Sequence, residues 1–66
     1  MKNNANNEAL KLYLDEMAGL TVNDLEAKEL VALALAMDSE TSNGVDANTA
    51  ARCAVEDLLE GNLELA

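Results

Sequence analysis

The chain has 66 residues, with no histidine, no proline and one cysteine, so no internal disulfide can form and the usual zinc constellations are out of reach. A domain of this size buries only about 60% of the surface its unfolded form exposes. It must therefore be a well-packed helical bundle or take part of its core from a second copy. Thirteen acidic side chains against four basic ones leave a net charge of −9, which disfavours direct contact with DNA, RNA or an anionic membrane and favours a basic partner.

Twelve Leu, twelve Ala, four Val and three Met make up nearly all the apolar set, and Tyr13 is the sole aromatic residue. Ala, Leu and Met are strong helix formers, while the β-branched and aromatic residues that favour strands are scarce. High charge with few aromatics is also the signature of disorder, but here half the residues are apolar and fall at helical spacing. The expected fold is all-α: a three-helix, up-down-up bundle in a single domain over residues 1–66, closed on itself or paired as a homodimer.

The Asn-rich opening, Met1-Lys2-Asn3-Asn4, is expected to fray, and it lacks the apolar stretch of a secretory leader. Helix one is predicted over about residues 5–18, with Leu10, Tyr13, Leu14 and Met17 on one face and Glu8, Lys11 and Asp15 on the other. Gly19 stands where a left-handed residue ends a helix. Thr21-Val22-Asn23-Asp24 then resembles a capping box, with Leu20 and Leu25 at the flanking staple positions.

Helix two is predicted over 22–37. Ala27, Leu30, Val31, Ala34 and Met37 form a stripe, with Leu33 and Leu35 off it, so residues 30–37 are apolar all round. Burial on several sides follows, as a central helix or as part of a dimer interface. That run of eight is also the longest apolar stretch, far short of the roughly 20 residues a membrane span needs. A cytoplasmic location is expected, and an unbridged Cys53 fits a reducing compartment.

Ser39 to Gly44 reads as a polar loop closed by the Asn43-Gly44 turn signal. Asp46 is the expected N-cap of a third helix over 47–60, whose apolar face is Ala47, Ala50, Ala51, Ala54, Val55, Leu58 and Leu59. Gly61 stops it. Residues 62–66 form a tail, expected to fray, from which Leu63 or Leu65 folds back.

No catalytic, cofactor or metal site is expected. Cys53 has no histidine to activate it, and a free cysteine is usually buried and inert. The run from Asp38 to Gly44 has some flavour of an EF-hand loop, but its glycine falls one place late and Thr49 stands where the bidentate glutamate belongs. Asp38-Ser39 echoes the attachment site of acyl carrier proteins, yet it closes a helix instead of opening one. Pairs such as Glu56 and Glu60 read as a solvated face.

The distribution of acid is more informative. Carboxylates at a helix C-terminus oppose the backbone dipole by about 0.3–1 kcal/mol each. This chain nevertheless places Asp15 and Glu16 in the last turn of helix one and Glu56, Asp57 and Glu60 in that of helix three, with Glu64 beyond. Short connections favour antiparallel neighbours, which brings those ends beside Asp24 and Glu26 at the start of helix two. These eight acids are the candidate surface for a basic partner protein.

In size, helical character and charge, including the segment Glu56-Asp57-Leu58-Leu59-Glu60, the chain resembles the small acidic proteins that phages encode against host defence, among them anti-CRISPR and anti-restriction DNA mimics. The resemblance covers the whole chain as a profile, without a diagnostic motif. It implies an inhibitor that occupies a Lys/Arg-lined groove in competition with nucleic acid, with apolar anchoring from Leu33 or Leu35. The alternative is a homodimeric interaction module unrelated to nucleic acid, with the helix-two run as its interface.

Overall fold

The computed structural model describes residues 2–63, with side chains from residue 5 onward. Among these residues there are three principal helices and no strand. Helix α1 spans Lys2–Tyr13 and continues through a single π turn, Leu14–Ala18. A short 3₁₀ turn, Val22–Asp24, leads to α2, Ala27–Ser42, and α3 is Ala47–Glu60. The three pack as an all-α bundle.

Helix α1 begins earlier than expected, since Lys2, Asn3 and Asn4 are already helical. Its far end is widened. The Gly19 N–H, at φ 67°, reaches the carbonyls of Asp15 and Leu14, and the Leu20 N–H donates to the Leu14 carbonyl at 3.1 Å. The extra residue in this turn leaves Leu14 fully buried while Asp15 and Glu16 face solvent.

The predicted capping signal at Thr21 is present, but it does not start α2. Asp24 Oδ2 accepts the Thr21 N–H at 2.9 Å and closes the 3₁₀ turn, after which Leu25 is extended at φ −106°, ψ 149°. This break lets Val22 and Leu25 both pack against the core. A second reciprocal arrangement follows, in which Glu29 Oε1 accepts the Glu26 N–H at 2.8 Å, and α2 starts there. It ends later than predicted as well. The Val45 N–H donates to Glu40 O at 3.1 Å and the Gly44 N–H to Thr41 O at 3.1 Å, a Schellman closure that carries the helix up to Asn43. Within it the Thr41 hydroxyl donates to the Met37 carbonyl at 2.9 Å, which satisfies the hydroxyl on the preceding turn. Ser39 to Ser42, read from sequence as the start of a loop, are therefore helical.

The buried set is Ala9, Leu10, Leu14, Ala32, Leu33, Met37, Ala50, Ala51, Ala54 and Val55, with no polar or charged side chain among them. Helix α3 packs on both neighbours, whereas α1 and α2 touch each other far less. This corrects two expectations. The central helix is α3 and not α2, because its alanines admit both partners closely. Nor is residues 30–37 a segment buried all round: Leu33 and Met37 lie inside, while Val31 and Leu35 are 54% and 63% exposed. Leu59, placed on the apolar face of helix three, is 52% exposed. Leu63 does fold back onto the core, and Leu65 lies outside the described residues.

Candidate functional site

The relative direction of the helices fixes which acids share an end. The Asn6 amide donates to Asp38 Oδ1 at 3.3 Å, so the start of α1 lies beside the end of α2. Ala5 and Ala9 face the same surface depression as Asp46 and Ala47, so α1 and α3 start at one end. The π turn of α1 packs on α3, and Leu20 and Val22 adjoin Lys11 and Asp15. One end of the bundle thus holds the π turn, the 3₁₀ turn, the first turn of α2 and the last turns of α3.

Seven of the eight predicted acids fall in those segments and every one of the seven is exposed: Asp15, Glu16, Asp24, Glu26, Glu56, Asp57 and Glu60. Glu64 lies outside the described residues. Their local roles differ. Asp24 accepts the Thr21 N–H and hydroxyl at 2.9 and 3.2 Å, and Glu26 occupies the N-cap position of α2. Both sit where backbone N–H groups welcome negative charge. The three on α3 have the opposite setting, with no basic side chain in that last turn. Their helix ends at Gly61, φ 76°, where the Asn62 N–H donates to the Asp57 carbonyl at 2.8 Å. The Glu60 carboxylate accepts from the Asn62 amide at 3.2 Å.

Little positive charge answers this end. Among the described residues the one ion pair within 4 Å joins Lys28 to Glu26 at 3.8 Å, and both side chains are more than half exposed. Such a pair contributes about 0–1 kcal/mol and holds its partners loosely.

Other candidates carry less. Cys53 is exposed, contrary to the expectation of a buried thiol, because it lies on the face of α3 turned from the core while Ala50, Ala51, Ala54 and Val55 take the inside. No group of three metal-ligating side chains comes together among the described residues. Asp38 to Ser42, the start of the segment with EF-hand flavour, is wound into α2.

Sequence reasoning missed the open trough between α1 and α2, lined by Leu10, Val22, Leu30, Val31 and Ala34. Its signal is the stripe Ala27, Leu30, Val31, Ala34 and Met37, of which only Met37 is buried, together with the off-stripe Leu33. Comparison with known family models, curated proteins and solved structures finds no match to this chain.

Proposed function

We propose that the protein is a non-catalytic acidic binding protein whose α1/α3 C-terminal end occupies a basic, nucleic-acid-binding surface of another protein. The observation that carries this reading is the gathering of seven exposed carboxylates in the segments at one end of the bundle, with one lysine in ion-pair contact with them among the described residues. Three of them stand where the helix dipole opposes them. A chain with little stability to spare gains nothing internal from that placement, so an external cation is the natural beneficiary. The reading is that of a DNA mimic of the kind phages direct at host-defence systems, acting in the cytoplasm by occlusion. No described helix is long and apolar enough to cross a membrane.

Magnitudes limit what charge alone achieves. The bundle measures 27 × 22 × 18 Å, and 22 Å of duplex carries about 13 charges at one per about 1.7 Å. Seven carboxylates with one paired lysine supply roughly half that density. Competition with DNA therefore calls for an apolar contribution beside the charge. Leu33 cannot give it, being fully buried, whereas Leu35 is exposed.

The test is retention of basic nucleic-acid-handling proteins from a lysate on the immobilised protein. Retention is expected at low salt, to fall as salt screens the charges, and to be reversed by added duplex DNA. A Glu56→Gln, Asp57→Asn, Glu60→Gln variant with unchanged helicity is expected to lose it. Equal capture by that variant would remove the acidic end from consideration. The homodimeric module draws on the exposed Val31 and Leu35, and a sedimentation measurement showing a tight dimer that dissociates on Leu35→Gln would favour it.

A further inference from the structure

A continuous trough separates α1 from α2 and has no occupant from the described chain. Its floor is apolar, made by Leu10, Val22, Leu30, Val31 and Ala34. At one end stands Asp38 and at the other Asp15, with Lys11 on the α1 rim between them. The central section encloses about 380 Å³, near the low end of the roughly 300–1,000 Å³ of small-molecule sites. It runs on into the neighbouring depressions at both ends, through shared Leu10 and Ala34 on one side and Lys11 and Val22 on the other. A long open channel suits an elongated ligand better than a compact one.

We propose that this trough receives a cationic amphipathic helix of the partner protein. From Leu30 to Asp38 the wall on α2 is roughly 12 Å long at 1.5 Å per residue, which matches an apolar stripe at i, i+3, i+4 and i+7 laid along a groove. Charge selects the occupant. Asp15 and Asp38 attract cations at the two ends of such a helix, and Lys11 refuses one at its middle. A second copy of this chain would bring −9 against −9, a repulsion that works against self-association. The inference takes the partner's positive charge from the acidic-end reading and adds a second apolar anchor to the exposed Leu35.

The probe is a synthetic peptide of about 14 residues, near the length at which an isolated helix becomes sustainable. It carries Leu at i, i+3, i+4 and i+7, Lys at both ends and Gln or Ala between, and binding is read by fluorescence anisotropy. A scrambled peptide of equal composition, without the stripe, is expected to bind at least about tenfold more weakly. Val31→Gln with Ala34→Gln, both at exposed helical positions, is expected to weaken the striped peptide by a similar factor, the loss when one or two apolar side chains leave a dry contact. Glu56→Gln, Asp57→Asn, Glu60→Gln is expected to leave peptide affinity within about threefold, because these groups lie off the trough. Equal binding of the scrambled peptide, or no effect of the Val31 and Ala34 changes, overturns the inference, as does a dimer that those two changes dissociate. Loss of lysate capture in the triple variant beside failure of the peptide test sinks the trough alone. Peptide binding with unchanged capture sinks the acidic end alone.

Discussion

Asp46 holds the start of α3 with both carboxylate oxygens: Oδ2 accepts the Thr49 N–H at 3.0 Å and Oδ1 the Thr49 hydroxyl at 2.7 Å. These bonds, the side-chain one foremost, hold its carboxyl below the ordinary aspartate value. A folded-state pKa that is depressed contributes stability fully present above the unfolded value, about 3.9, and lost as pH falls through the folded one. Thermal melts followed by circular dichroism from neutral to acid are therefore expected to show a loss below about pH 4 that is smaller in Asp46→Ala. That variant should be less stable at neutral pH, and Asp46→Asn, which keeps an acceptor, should fall between the two. Gly61 is a second single-residue constraint. At φ 76° an added Cβ is disfavoured by roughly 1–2 kcal/mol, so Gly61→Ala should lower the urea midpoint by a corresponding amount although nothing crowds the site.

Helix α3 combines a well-made start with an ending loaded against its own dipole. Substituting Glu56→Gln, Asp57→Asn and Glu60→Gln together should raise stability, by about 1–3 kcal/mol in sum, with each kcal/mol worth roughly 4–8 °C in melting temperature for a domain of this size. A stabler protein that has lost its partner is the outcome expected of a functional surface. No gain in stability would mean that the dipole opposes these groups only weakly.

The same scale shows what the sequence makes legible. Caps and stops are local, so Asp46, Gly61 and the Asn43-Gly44 turn can be read from neighbouring residues alone. The inner face of α3 is legible too, because its apolar positions keep one period. Helix α2 is harder on both counts. A polar run such as Asp38-Ser39-Glu40-Thr41-Ser42 looks like loop until the bonds from Val45 and Gly44 close the helix behind it. A segment apolar all round does not state which side faces in, and packing against α3 decided for Leu33. The Gly19 stop and the inward facing of Leu14 are legible, but the widening of the turn over Leu14–Ala18 leaves no mark on spacing. The acidic end needed only charge and antiparallel order, whereas the trough needed the true facing of α2.

For the whole molecule, a core with ten buried residues among those described, four of them fully buried large side chains, leaves stability concentrated in few places. Leu33→Ala should cost about 2–5 kcal/mol, comparable to the roughly 3–5 kcal/mol a domain this small commands, and should leave the chain largely unfolded in urea titrations at room temperature. Leu35→Ala, two residues away but 63% exposed, should stay within about 0.5 kcal/mol of the parent. Equal effects at the two positions would mean that α2 is rotated from the facing described.

Ala50, Ala51 and Ala54 form the meeting line of the three helices, where a methyl group is the whole side chain. Axes can then approach to the short end of the roughly 8–10 Å range, and the gap they close is one no longer side chain can enter without prising α3 off a neighbour. Drift at these positions is confined to residues of similar bulk. Room for innovation lies on the outward surfaces, so the protein can change its companions far more readily than its architecture.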